Sequence, residues 1–438
     1  MAVPDFFSPH TIAQGWGVAF RISREVLSVR ILLIVHHRRW RAVYRSRVIA
    51  GELARRGHQI TLMVTADEER WCFRETIEGD GVRVIDSPDL TWGRLRSGWD
   101  PICALRRAFW LWQNGEIYDL IHLFETRPAT ILPGLMIHRR LGAPIVIDWT
   151  DLWGRGGSIA VKRPLWYRVL FAWVETFFEE HFRTYADGTT TISYGLRDHA
   201  IGLGIDPAMI LHIRNGADLM LFTPRPVQEG RRRLGLPADA FIIGYSAQDS
   251  FFDLDPVFDA VRRLVDRGIN GMLVMSGHAP PRVRRSIARF GLESRARFLG
   301  YLTWDDYPWF LPSCDVLACP FPPTIYNVGR WPGKFGEYCA VGRPIVFNPH
   351  GDLADFATGE QVPGIPCAFD AAAFAAAFSK LHDAPDLRER LGTIARSRAR
   401  ADFDWRNVVD RLEHFYGRII ARVAERAGGI AIARHTTL

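Results

Sequence analysis

The sequence predicts an α/β protein of two domains, each built on a parallel sheet, facing one another across a cleft. Three observations lead there. The chain has 438 residues, too long for one ordinary domain and suited to two of roughly 200 residues each. Short β-rich apolar runs alternate with helical stretches, which is the mark of βαβ units and so of parallel pairing. That rhythm breaks once, near residue 220, in a stretch rich in Pro, Gly and Arg, and then restarts.

The first series begins at Arg30. ILLIVHH (31–37) reads as a buried strand, followed by a helix from about Tyr44 to Arg56 that stops at Gly57-His58. QITLMVT (59–65) and VRVID (82–86) are the next strands. A helix near 101–113 then precedes DLIHLF (119–124), and a helix near 129–141, closed by Gly142, precedes APIVIDW (143–149). The aromatic segment 164–185 reads as a helix of the core, leading to GTTTIS (188–193) and to a step ending near ILHIRNG (210–216). The second series runs through FIIGYSA (241–247), a helix at 255–267, GMLVMSG (271–277), a helix at 280–290, ARFLGYL (296–302), DVLACPF (315–321), a helix at 333–341 and RPIVFN (343–348). The expected division is therefore an extension at 1–29, domains at 30–216 and 217–404, and a final helix and tail at 405–438. That helix is a candidate to pack back on the first domain.

Composition narrows the class. With 48% hydrophobic and 24% charged residues the chain is globular, and its 38 Gly and 26 Pro are too dispersed for a collagen-like or low-complexity reading. The net charge of +7 favours anionic partners such as phosphates or membrane surfaces. Its acids and bases are interleaved, so no nucleic-acid footprint is expected. The six cysteines form no CxxC pair and no zinc spacing, and read as thiols of a reducing compartment. No segment reaches the roughly 18 apolar residues of a membrane span, and 1–29 lacks the apolar core of a signal peptide. A cytoplasmic protein with a disordered N-terminal extension is expected, and GWGVAF (15–20) lacks the strand and third glycine of a dinucleotide fingerprint.

Ligands of open parallel sheets bind outside the carboxyl ends of the strands. After DVLACPF comes PTIYNVGRWPGKFGEYCAVGRPIV (323–346). Pro332 suits a first helical turn and Gly342 the position just past a helix end, so a helix starting near Pro332 would aim free N–H groups into the cleft. Arg330 and Lys334 add two positive charges there, and Glu337, at i+3 from Lys334, shares its face. Cations suit a diphosphate and a carboxylate suits a ribose diol. Lys334 is one of only three lysines among 55 basic residues, and its compact ammonium fits a phosphate. A plain exposed ion pair between Lys334 and Glu337 is the alternative.

The segment NVGRWPGKFGEYCAVGRPIV resembles the donor site of GT-B glycosyltransferases of family 4. RNGADLMLFTP (214–224) is similar to that family's segment at the domain junction. ELARRGHQITLMV (52–64), DLIHLF, TTISYGL (190–196) and DFDWRNVVDRLEHFYGRI (402–419) follow in family order. The resemblance implies a GT-B fold of two Rossmann-like domains and a retaining transferase that uses a nucleotide sugar, without a bound metal, in glycan, polysaccharide or glycoside synthesis. It also implies that Glu337 holds the donor ribose, that Lys334 and Arg330 neutralise the leaving diphosphate, and that Gly333 and Gly336 line the donor loop. His122 and Asp151 would contact the reacting sugar; Asp148 is the neighbouring candidate, and either aspartate could instead cap a turn. His37, Arg38, Arg39 and Glu125 would face the acceptor, His122 being equally readable as a buried core histidine.

The chain departs from the family at three places. Gly329 stands where the first glutamate of a pair is usual, and Ala247 and Phe252 stand near the places of an Arg and a Lys. A nucleotide-sugar epimerase and a non-catalytic nucleotide-sugar-binding subunit therefore remain alternatives. HHRRWRAVYRSR (36–47) reads either as a clamp for an anionic acceptor or as solvated arginines. Asp253-Leu254-Asp255 spells a metal motif, but Asp255 before Pro256 reads as a helix cap. Basic and aromatic residues interleave across 92–112, which fits a helix lying on an anionic membrane; peripheral association at the inner membrane face and a lipid-linked acceptor follow from that reading.

Overall fold

The computed structural model describes residues 28–38, 44–67, 71–89, 97–247 and 254–435. The first sheet holds β1 (Arg30–Arg38), β2 (Gln59–Thr65), β3 (Arg74–Ile77), β4 (Arg83–Ser87), β5 (Leu120–Phe124), β6 (Ile145–Trp149), β7 (Gly188–Thr191) and β8 (Ile210–His212). Their order is β3-β4-β2-β1-β5-β6-β7-β8. Every pairing is parallel except that of β3, an exposed antiparallel edge on β4. The second sheet holds β9 (Phe241–Ser246), β10 (Gly271–Ser276), β11 (Ala296–Phe298), β12 (Val316–Cys319), β13 (Ile345–Phe347) and β14 (Gly364–Pro366), all parallel, in the order β11-β10-β9-β12-β13-β14. The chain reverses its direction of winding between β1 and β5, and again between β9 and β12. Crevices open at such switch points.

Side chains alternate across each strand and fill both faces of the first sheet. Leu32, Ile34, Ile121 and Leu123 lie under the helices Pro101–Asn114 and Pro128–Leu141. Ile31, Leu33 and Val35 lie under the helix Tyr44–Arg55 and, from the far end of the chain, under Trp405–His435. That last helix returns to the first domain and buries Val409, Leu412, Phe415 and Ile419 there. Local chemistry sets the helix ends: Asp100 accepts a hydrogen bond from the Ile102 N–H (2.9 Å) ahead of Pro101, and Gly115 closes the same helix at φ 67°.

The chain passes between the domains twice, and the two passes touch. The Ala217 N–H donates to the Phe403 carbonyl (2.7 Å), and Ala217 bridges Asp404 in parallel. Arg45 braces the first pass. Its guanidinium holds both carboxylate oxygens of Asp148 (2.9 and 3.1 Å) and also donates to Asn215 Oδ1 (2.9 Å).

One helix contradicts its expected role. Leu165–His181 was expected in the core, yet Leu165, Trp166, Val169, Leu170 and Trp173 are exposed and its buried residues are Glu175 and Glu179. The expected extension at 1–29 lies outside the described residues apart from Ser28 and Val29.

Candidate active site at the domain cleft

At the carboxyl end of β9, Ser246 is held from several sides. Its N–H donates to Tyr338 Oη (2.8 Å), its Oγ lies 3.0 Å from Tyr307 Oη, and its carbonyl accepts from Lys334 Nζ (2.7 Å). The ammonium also sits 3.9 Å above the Tyr245 ring, a cation–π contact that fixes the stem. The helix that presents Lys334 spans Lys334–Ala340, two residues later than the expected start; Pro332 and Gly333 form the turn before it. A Cβ at Gly333 would make ordinary contact with Asn215 Nδ2 at 3.9 Å, whereas a side chain at Gly336 would press on Phe403.

Glu337 follows one turn along, and Tyr307 Oη donates to its Oε2 (3.4 Å). Burial lifts the Glu337 carboxyl to about 7, against the pull of the Lys334 charge. Burial also raises the Tyr307 hydroxyl well above its ordinary range, with the Glu337 charge adding to it. Tyr44, from the first domain, feels the same carboxylate, and burial takes its hydroxyl to about 12. Beside Tyr307 lies a pocket of about 130 Å³ lined by Ala247, Ser276, Gly277, Gly300 and Leu302, with Tyr301 and Trp304 exposed at its rim. A carboxylate, an ammonium and an aromatic-rimmed pocket thus meet at the β9 end of the switch point.

Arg330 reaches across the cleft. Its Nε lies 2.9 Å from Asp151 Oδ1, and its guanidinium covers the Tyr326 ring at 4.4 Å. The two expected site residues are therefore brought together, and they partner each other. Gly329 explains itself here: a Cβ would come within 2.5 Å of Leu152 Cβ, so the close approach of the domains leaves no room for a side chain. Gly195 meets Val328 in the same way. Asp352 secures the contact further, accepting from the Tyr194 N–H (2.8 Å) and pairing with His212 (2.8 Å) and Arg214 (3.0 Å). Burial would raise the Asp352 carboxyl, but these partners hold it below the usual carboxylate range.

The first-domain candidates separate into three groups. His122 sits in the middle of β5, fully buried, with Nδ1 2.6 Å from Tyr416 Oη and its ring stacked on Phe124. Burial lowers its pKa to about 4. It is a core histidine under the last helix, the second of the two readings expected of it, and it feels the charges of Asp148 and Arg45. Glu125 follows β5 at φ 76°, a strained conformation for a non-glycine residue. Its carboxyl accepts from Thr150 Oγ1 (2.6 Å) and lies 3.4 Å from Arg183, and burial lifts it to about 7. His37 is partly exposed at the end of β1, its ring beside that of His36, and Arg38 ends that strand. Arg39 lies outside the described residues.

The arginine-rich segment is not a uniform clamp, since Arg45 is buried against Asp148 and Arg47 pairs with Glu78. Asp148 stays below the usual carboxylate range because Arg45, His122 and Thr190 outweigh its burial. Asp255 opens its helix and pairs with Arg289. Sequence reasoning missed Ser246, Tyr307 and Tyr338, whose roles depend on three separate strand and helix ends converging; no spacing signals that.

Residues 42–216 match the family model described as a glycosyl transferase 4-like domain, and residues 247–384 match glycosyl transferases group 1. The D-inositol 3-phosphate glycosyltransferase of Thermomonospora curvata is 28% identical over 252 residues, covering 52% of this chain and 56% of its own. The protein of the same description from Mycobacterium bovis is 27% identical over 245 residues, covering 52% and 48%. The chain thus spans about half the length of these curated relatives. Among solved structures, the sucrose-phosphate synthase of Thermosynechococcus elongatus superposes with a TM-score of 0.71 at 18% identity, covering 90% of this chain and all of the other. Anabaena HepE in complex with UDP superposes with a TM-score of 0.64 at 17% identity, covering 88% and 98%. These two likenesses establish the fold. With two family models matching in succession along two facing parallel-sheet domains, the chain belongs to the glycosyltransferases of GT-B fold and family 4 type.

Proposed function

We propose that the protein transfers a sugar from a nucleotide-sugar donor to an acceptor, with retention at the anomeric carbon and without a metal ion, in glycan, polysaccharide or glycoside synthesis. The observation that carries this is the meeting of Lys334, Glu337 and the pocket rimmed by Tyr301 and Trp304 at the end of β9. The base would stack in that pocket, the ribose diol would donate to the Glu337 carboxylate, and the diphosphate would lie against Lys334. One Lys334 N–H serves Ser246, so two remain for phosphate oxygens.

In the reaction the bond from the anomeric carbon to the phosphate oxygen breaks and its electron pair leaves with the nucleoside diphosphate. The acceptor oxygen forms the new bond to the anomeric carbon, and its proton passes to the departing phosphate oxygen. Charge grows on the diphosphate as the bond breaks, and a fixed ammonium stabilises that charge more than it stabilises the ground state. Arg330 would add a second cation once it exchanges Asp151 for phosphate. The relatives support the donor class: HepE is described in complex with UDP, and a starch synthase of the same fold with ADP. The relatives named for D-inositol 3-phosphate point to a polyol phosphate as one acceptor to try.

A panel of UDP, GDP and ADP sugars tests the reading. One donor should be hydrolysed slowly to nucleoside diphosphate and faster with acceptor, with the anomeric configuration of the product followed by NMR. Lys334→Ala should lower turnover more than affinity, and a chelator should leave the rate unchanged. Binding of a nucleotide sugar without turnover of any acceptor would instead support a non-catalytic subunit.

A further inference from the structure

The second sheet carries a charged cavity at the end opposite the candidate site. Ser246, Lys334 and Glu337 gather where β9 ends, whereas Asp315 precedes β12 and Arg343 comes just before β13, at the amino ends of these parallel strands. A cavity of about 670 Å³ lies there, between those two residues, Val227 and the helix Pro385–Asp402. Four arginines line it: Arg343, Arg388, Arg396 and Arg400. Among the described residues none of the four forms an ion pair. Of the acids at the cavity, Asp315 is committed to Arg231 (2.7 Å) and to the Ile242 N–H (2.6 Å), and Glu389 is exposed.

These cations are costly where they stand. Arg343 is half-buried, and its Nε is buried without a hydrogen-bonding partner. Burial holds its pKa below the ordinary value, and the charges of Arg231 and Arg388 push the same way, against the pull of Cys314 and Asp315. Arg396 and Arg400 stand at i and i+4 on one helix, where like charges repel. Burial lowers the Arg396 pKa, and Arg400 adds to the effect. Two of the four are nonetheless braced. Arg396 Nη1 donates to the Ala340 (2.6 Å) and Phe222 (3.0 Å) carbonyls, and Arg388 Nη1 donates to the His382 carbonyl (2.9 Å). The wall is tight as well, since a Cβ at Gly392 would lie 2.3 Å from the Gly342 carbonyl oxygen.

We infer that this cavity binds a small molecule bearing phosphate groups, held by Arg343, Arg388, Arg396 and Arg400. Guanidinium forks match phosphate oxygens in geometry as well as charge. The four fall into two neighbouring pairs, Arg343 with Arg388 and Arg396 with Arg400, so a ligand with two phosphate groups answers both. The volume is that of a pocket for a metabolite. Pyrophosphate and a sugar bisphosphate share this chemistry. The cavity lies at the other end of the sheet from Lys334, and the inference does not rest on the transferase reading.

Titration calorimetry of the full chain at low ionic strength tests it, with pyrophosphate and fructose 1,6-bisphosphate as probes. At least one should bind the wild type, and the tighter of the two identifies the source of the phosphates. Lys334→Ala should keep that binding. Arg343→Gln should weaken it about tenfold or more, through the loss of a charge-assisted contact, and Arg400→Gln, at an exposed position, should do the same. In buffer Arg400→Gln should melt no lower than the wild type, because it removes a like-charge pair, yet it should lose the stabilisation that the probe gives the wild type. That second readout keeps the test decisive if Arg343→Gln folds poorly. Absence of binding of both probes to the wild type overturns the inference. So does binding that Lys334→Ala abolishes and both arginine variants retain, since the anion would then sit at the donor helix. Sulfate binding as tightly as the better probe also overturns it, by reducing the cavity to a general attraction for anions. Donor hydrolysis plays no part in these readouts, so a failure of the transferase reading leaves them unchanged.

Discussion

Lowering the pH from 8 to 6 should weaken binding of the donor nucleotide sugar about tenfold, and Glu337→Gln should remove that dependence. The reasoning starts from a carboxyl whose burial lifts its pKa to about 7 in the free protein. A ribose diol donates two hydrogen bonds, so it needs the ionised form as acceptor. With a pKa near 7 the ionised fraction is about nine-tenths at pH 8 and about one-tenth at pH 6. The ratio is close to ten, or about 1.4 kcal/mol of binding free energy. The sign follows from the raised pKa: an acid held at its ordinary value would be fully ionised across this window and would give no slope. The probe should be the nucleotide sugar itself, because its diester phosphates do not titrate between pH 6 and 8 whereas a free diphosphate does. Calorimetry at three pH values, on the wild type and on Glu337→Gln, provides the comparison. A flat wild-type profile, or an equal slope in the variant, would refute the ribose role of Glu337.

Three other outcomes follow from the geometry. Asp151→Asn breaks a pair in which both side chains keep about a quarter of their surface. It should cost no more than about 1 kcal/mol of stability yet change turnover, because it takes the Asp151 charge away from Arg330; unchanged turnover and unchanged donor affinity would separate this pair from the reaction. Gly329→Ala places a methyl group where Leu152 Cβ lies 2.5 Å away, so it should hold the domains apart, lower turnover and raise the radius of gyration in small-angle scattering. An unaltered scattering curve with full activity would disprove that account. Tyr416→Phe removes the hydrogen-bonding partner of buried His122 and should cost about 1–3 kcal/mol in a denaturant melt, with activity per folded molecule retained. Lost activity at wild-type stability would return His122 to the chemistry.

Much of the scaffold was legible because parallel strands buried on both faces read as continuous apolar runs. QITLMVT is β2 to the residue, and FIIGYSA overruns β9 by one residue. The short strands β3 and β14 were not legible: RETI is exposed along its length, and GIP is three residues long. Lys334 and Glu337 were legible because one helical turn fixes their relation wherever the helix packs. Asp151 with Arg330, and Ser246 with Tyr307, were not, since each pair joins segments more than fifty residues apart in sequence. The helix at 165–181 misled for a physical reason. Its sequence shows an apolar majority, and hydrophobicity alone cannot say which side of an amphipathic segment faces protein. The inward carboxylates of Glu175 and Glu179 decide the matter, and their partners, Tyr167 among them, are visible only once the chain is folded.

The paired passes of the chain at Ala217 and Phe403 bear on how such a molecule can work. A single tether would let the halves twist and slide freely, while two tethers far apart would lock them. Two that lie side by side leave one easy motion, a swing about the line joining them. Lys334 and Tyr44 stand on opposite sides of the opening that this swing controls. A substrate that enters while the molecule gapes is then delivered to the same alignment at each turnover, with the geometry of the bite set by backbone hydrogen bonds packed against Gly336 of the donor helix.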